Sequence, residues 1–160
     1  ALRARGLWSE RREANLLDGG TPFYRCYACR DDGFVAVGAL EPRFYAALIR
    51  GLGLTPDEAP QFDRENWPAL QARFTALFAT RDRDDWAAHF AGTEACVTPV
   101  LSLSEAPAHP HNQARGTFVS AGIDQPAPAP RFAAAAAPIS ADRPLLPLDQ
   151  ALADWTNENA

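Results

Sequence analysis

The stretch PFYRCYACRDDGFVAVGALEPRFYAALIRGL, residues 22–52, decides the fold. Phe23–Tyr27 and Phe34–Val37 are runs of aromatic and β-branched residues, the types that suit a pleated surface. Asp31-Asp32-Gly33 between them makes a hairpin turn, and Gly33 is expected to supply its positive φ. The pattern then changes period. Pro42 fits the first position of a helix, where its missing N–H costs nothing. Phe44, Tyr45, Leu48, Ile49 and Leu52 form one apolar stripe at 3.6-residue spacing, ended by Gly51 and Gly53. A hairpin running straight into an amphipathic helix makes this an α+β unit.

Further along, Trp67, Leu70, Phe74, Leu77 and Phe78 recur at helical spacing and predict a core-facing helix. A shorter helix follows with Asp82 as its cap and Trp86 and Phe90 on one face, stopped by Gly92. Thr55–Glu58 and Ser102–Glu105 are capping-box patterns. Val97–Leu103 is expected to be extended. Upstream, residues 1–20 predict a linker helix stopped at Asp18-Gly19-Gly20. The expected organisation is a linker helix over 1–20, a small α+β domain over 21–93 and an arm over 94–132. An Ala/Pro-rich tail covers 133–160, with a last short helix at Leu148–Trp155.

The chain has 160 residues, 47% hydrophobic and 22% charged, which is ordinary globular usage and rules out disorder throughout. A formal charge of −5 argues against a nucleic-acid partner, since phosphate backbones need a basic face. No apolar run reaches the roughly 18 residues of a membrane span, so no membrane partner is expected. Three cysteines, an odd number, with no secretory h-region fit a reducing compartment and a cytoplasmic location. Every basic residue is Arg, and Met is absent even from position 1. The chain therefore reads as a piece of a longer polypeptide.

Cys26 and Cys29 have C-x-x-C spacing, but on a strand residues i and i+3 face opposite ways, so structural thiols are expected there. His109-Pro-His111, with Cys96 and Glu105 upstream, lacks a ligand at a diagnostic spacing, and no metal site is assigned. No Walker loop, G-x-S-x-G elbow or G-x-G-x-x-G is present. Glu41 is the most informative single residue. It sits between strand and helix, where the helix N-terminus favours an ionised carboxylate, yet Glu is not a leading N-cap residue. Beside its bland reading as an exposed acid stands a functional one: a carboxylate at a cleft edge that orients a histidine.

Several of these segments together resemble the family III CoA-transferase (CaiB/BaiF-type) superfamily, and within it the acyl-CoA racemases. They are Asn15–Tyr27, Asp32–Tyr45, Gly51–Leu54, Cys96–Ala106, His109–His111 and Ala114–Val119. The resemblance covers most of residues 1–132. It implies a two-domain subunit more than twice this length, with a large CoA-binding α/β domain preceding this small domain, and an arm that returns to the large domain. Two such subunits interlock as a homodimer, with each active site between one subunit's large domain and the other's small domain. The implied reaction epimerises the α-carbon of a 2-methylacyl-CoA thioester through an enolate. Its Asp and His bases lie in the large domain and have no match here, so this segment alone is expected to be inactive. The resemblance gives Glu41 of Gly-Ala-Leu-Glu-Pro the job of holding the catalytic His across the subunit interface. It places Tyr24 and Leu40 on the acyl-binding side. No cofactor is implied, because the CoA thioester is the substrate. Two other readings stand beside this one: a CoA-transferase moving CoA between carboxylic acids, and a non-catalytic binding fragment.

Overall fold

The computed structural model describes residues 2–6, 8–120, 122–131 and 147–158. The chain divides into two units, Ala1–Val100 and Leu101–Ala160.

In the first unit, β1 (Tyr24–Ala28) and β2 (Phe34–Gly38) form the expected hairpin, with Tyr24 opposite Gly38 and Ala28 opposite Phe34. A third strand, β3 (Val97–Val100), pairs antiparallel with β2, so the sheet order is β1-β2-β3. This corrects the expected boundary at residue 93: the extended segment after it completes the sheet instead of starting an arm. Three helices follow the hairpin: α1 (Pro42–Gly51), α2 (Trp67–Phe78) and α3 (Arg83–Phe90). One face of the sheet, carrying Tyr27, Val35, Val37 and Val97, closes on the core with Leu48, Leu70, Phe74, Phe78 and Trp86 from the helices.

The turn is built differently from expectation. Asp32, not Gly33, carries the positive φ, at 60°. Asp tolerates the left-handed region better than most side chains. Gly33 is required for space, because a Cβ there would lie 2.9 Å from the Cβ of Arg83. Asp31 Oδ1 accepts hydrogen bonds from the Gly33 N–H at 3.2 Å and from the Arg83 N–H at 3.1 Å. The hairpin turn thus caps the first turn of α3. Asp82 has N-cap backbone geometry but makes no side-chain cap bond. Its carboxylate instead accepts from Arg30 Nε at 2.8 Å, which holds that carboxyl below its ordinary range.

Helix α1 ends as the glycine pattern predicts. Gly53 has φ 73°, its N–H donates to the Arg50 carbonyl, and the Leu54 N–H reaches back to the Ile49 carbonyl at 2.8 Å, a Schellman closure. Gly51 has a second function. A Cβ there would lie 2.2 Å from Phe90 Cε1, and Phe90 is buried and stacked on Trp86 at 5.8 Å. Gly51→Ala would gain about 1 kcal/mol of helix propensity. Overpacking costs about 1–3 kcal/mol, and a ring held on both sides cannot step aside cheaply. We expect Gly51→Ala to lower the urea midpoint, and a Phe90→Leu background to recover part of the loss. A midpoint that rises on Gly51→Ala would show that the ring yields freely.

Among the described residues the predicted linker helix does not form. Residues 2–6 hold one 3-10 turn, Arg3–Arg5, and residues 8–20 a series of turns. Side chains here compete for the backbone groups a helix would use. Asn15 donates its N–H to Asp18 Oδ1 at 2.8 Å and its amide to Asp18 Oδ2 at 2.7 Å and to the Ser9 carbonyl at 2.9 Å. The Thr55–Glu58 box forms a turn. Glu58 accepts from the Thr55 N–H at 2.9 Å and from Arg73 at 2.8 Å, and its carboxyl is pulled down to about 2, by the Arg73 bond first.

The second unit opens with the Ser102–Glu105 box, reciprocal as expected: the Ser102 N–H donates to Glu105 and the Glu105 N–H to the Ser102 hydroxyl. A 3-10 turn (Ala106–Ala108) and a short helix α4 (Pro110–Ala114) meet at His109, which ends the one and precedes the other. A two-stranded hairpin, β4 (Phe118–Ser120) with β5 (Asp124–Pro126), was not expected from the sequence. The helix expected at Leu148–Trp155 is α5 (Leu148–Glu158). The Ala-rich run at 133–137 lies outside the described residues.

Candidate functional site

The inner face of the sheet is used up by the core, so the chemistry available to a ligand lies on the other face. Strand alternation places Tyr24 and Cys26 of β1, Ala36 and Gly38 of β2, and Thr98 of β3 on that outer face. Together with Cys96, just before β3, they line an open groove of about 440 Å³. That volume falls within the range of small-molecule sites, about 300–1,000 Å³. Tyr24 is 37% exposed and stands at one end of the paired row Tyr24–Gly38. Gly38 donates its N–H to the Cys96 carbonyl at 2.9 Å, which carries the row across to the third strand.

Glu41 follows this row by three residues. It takes up N-cap backbone angles, φ −75° and ψ 144°, and its carbonyl accepts the first helical bond from the Tyr45 N–H at 3.0 Å. Its side chain makes no cap bond and is exposed, and it is in none of the ion pairs among the described residues. The carboxylate is close enough to the groove to act on it electrically. Burial first, and then the charges of Glu41 and Glu94, push the Cys96 thiol up. Cys96 itself has φ 52°, an uncommon angle for a residue with a Cβ.

Tyr24 is thus in the groove and Glu41 beside it. Leu40 is placed differently. It is half-buried against the core, its carbonyl accepts from Gln61 Nε2 at 2.8 Å, and it does not line the groove. Leu17, Cys26, Ala36, Gly38, Cys96 and Thr98 were not singled out as site residues. The signal for four of them was their i, i+2 phase with Tyr24 or across the strand from it. Cys26 is exposed and Cys29 buried, so the C-x-x-C pair divides between the two faces as strand geometry requires. Among the described residues no group of three or more His, Cys, Asp or Glu side chains could hold a metal ion. No helix among them is long and apolar enough to cross a membrane.

Residues 4–149 match the model of CoA-transferase family III. The chain belongs to that family. It is 44% identical over 143 residues to an alpha-methylacyl-CoA racemase of Mus musculus, covering 89% of this chain and 36% of the relative. It is 43% identical over 142 residues to an alpha-methylacyl-CoA racemase of Homo sapiens, covering 88% and 36%. A CaiB/baiF CoA-transferase family protein of Caenorhabditis elegans is 37% identical over 117 residues, covering 72% and 33%. This family III chain spans about a third of the length of the curated relatives it matches. It is therefore partial with respect to them, and its small antiparallel sheets and helices are consistent with a small domain of that family.

Proposed function

We propose that the polypeptide carrying this chain is an acyl-CoA racemase acting on 2-methylacyl-CoA thioesters, and that this segment supplies one wall of its active site. One base removes the proton α to the thioester carbonyl and the C–H electron pair passes into an enolate. The conjugate acid of a second base returns a proton to the opposite face, so atoms and charge balance with no electron carrier. The enolate oxygen needs preorganised donors. The bases, an Asp and a His, are assigned to polypeptide outside this segment. Glu41 orients that His from the partner subunit of an interlocked homodimer and stabilises its protonated form. The acyl group lies along the groove, against Tyr24.

The observation that carries this reading is the state of Glu41: an exposed carboxylate at the start of α1, beside a ligand-sized groove, with no cap bond and, among the described residues, no ion pair. Such a group suits a positively charged partner supplied from elsewhere. The test is α-proton exchange in D2O. The full-length polypeptide should incorporate deuterium into an optically pure 2-methylacyl-CoA and erode its optical purity, and this chain alone should do neither. CoA transfer to an added carboxylate without α-exchange would convert the reading to a transferase. Exchange by this chain alone would show that its own residues include the bases.

A further inference from the structure

We propose that Gln61 is a positioning residue for Glu41: through the Leu40 carbonyl it fixes the peptide from which the Glu41 side chain projects. This rests on the racemase reading of Glu41 and deepens it, by naming what holds the carboxylate in place. The backbone leading to Glu41 is tied down at successive residues. The Gly38 N–H donates to the Cys96 carbonyl at 2.9 Å, the Ala39 N–H to the Phe23 carbonyl at 2.9 Å, and the Leu40 N–H to the Gly38 carbonyl at 3.0 Å. The Glu41 carbonyl accepts from the Tyr45 N–H at 3.0 Å, the first bond of α1. The Leu40 carbonyl is held by a side chain instead. It accepts from Gln61 Nε2 at 2.8 Å, from a loop 21 residues further along the chain.

A peptide unit is planar, so a bond to the Leu40 carbonyl holds the whole Leu40–Glu41 peptide. The two peptides flanking the Glu41 Cα are then both held, one by Gln61 and one by α1, and the direction of the Cβ follows. Gln61 is itself anchored. Its carbonyl accepts from the Trp67 indole N–H at 2.8 Å, and the Trp67 ring packs edge-on against Phe23 at 5.9 Å. Phe23 is fully buried, and its own carbonyl receives the Ala39 N–H. The contacts from Leu40 through Gln61, Trp67 and Phe23 to Ala39 thus close a ring around the joint between β2 and α1. A loop glutamine gives up rotamer freedom to hold a single carbonyl. What it gains is placement: a working group must be kept within about 0.5 Å of its productive position, and a displacement of about 1 Å can cost roughly 100-fold in rate. The Glu41 side chain makes no cap bond, so its placement comes from the backbone.

The test uses the full-length polypeptide. Gln61→Leu removes the donor and keeps most of the bulk. Gln61→Asn keeps the amide one methylene short, and carries the test if Gln61→Leu fails to fold. Each should lower kcat for α-proton exchange roughly 3- to 10-fold with KM little changed, and move the His limb of the pH profile toward acid, as Glu41→Gln should. In a Glu41→Gln background the same substitutions should cost nothing further, because no charge is left to place. Equal losses in both backgrounds, or an unchanged kcat in both Gln61 variants, overturn the inference. Cys96 supplies a readout without catalysis, since the charge of Glu41, after burial, contributes to its raised thiol. Glu41→Gln should lower the pH midpoint of Cys96 alkylation, followed by mass spectrometry, and this step should shrink to roughly half in the Gln61→Leu or Gln61→Asn background. If the polypeptide exchanges no α-proton, or Glu41→Gln leaves kcat unchanged, the racemase reading falls separately. The alkylation step then decides the placement: a step of equal size in both backgrounds overturns it.

Discussion

Phe78→Ala is expected to destabilise the first unit by about 3–5 kcal/mol, and to fall at the upper end of that range. The cost of a truncated aromatic depends on how far its neighbours can close the hole, and here they are held in place. Phe78 is fully buried, stacked on Tyr27 at 4.9 Å and edge-on to Trp86 at 5.1 Å. Tyr27 is anchored by its hydroxyl, which donates to the Pro22 carbonyl at 2.6 Å, and burial raises its phenol well above its ordinary range. Trp86 is anchored by Nε1, which donates to the Phe78 carbonyl at 2.8 Å, a bond that survives truncation of the side chain. Two rigid rings tied at their far ends cannot collapse into the vacated space. Against a total stability of about 5–15 kcal/mol, this is a large fraction. Urea unfolding should show a sharply lower midpoint with little change in slope. Phe34→Ala is the control: Phe34 is 47% exposed on the outer face, and its truncation should cost no more than about 1 kcal/mol. Equal losses for the two variants would mean that the sheet buries both faces.

The same contrast explains what the sequence discloses and what it conceals. Elements whose apolar residues repeat at one period were legible: the hairpin, α1, α2 and α3 all fall where their stripes predict. The helix expected before Gly20 does not form because the Asn15–Asp18 hydrogen bonds take over backbone groups, and such bonds leave no periodic signature in the sequence. The strand β3 was read as extended, but nothing local says that β2 needs a second neighbour. Its pairing spans some 60 residues and is decided by the core. The turn glycine was assigned for its φ, when its role is the approach of Arg83, a contact from 50 residues away. For the site, Glu41 could be singled out because a Glu at that position lacks a local purpose. The groove could not be, because both faces of β1 and β2 carry apolar residues, and only the packing of the helices determines which face stays open.

Glu41→Gln should lower kcat of the full-length enzyme by roughly 10- to 100-fold, part of the 10²–10⁴ that a positioned acid–base group contributes. KM should change far less, because the side chain is assigned to the His and not to CoA. The substitution keeps shape and hydrogen-bonding capacity and removes only the charge. Since the carboxylate makes no cap bond and, among the described residues, no ion pair, the unfolding free energy should stay within about 0.5 kcal/mol of wild type. That separates a positioning role from a structural one. The pH profile separates it further. A nearby anion favours the imidazolium and raises the His pKa, so removing the anion lowers it. The limb of the kcat/KM profile that belongs to the His should therefore move toward acid by about one unit, and Glu41→Asp should restore part of the shift. A loss of kcat with an unmoved limb would assign Glu41 to something other than the histidine. An unchanged kcat would remove it from the proposed mechanism.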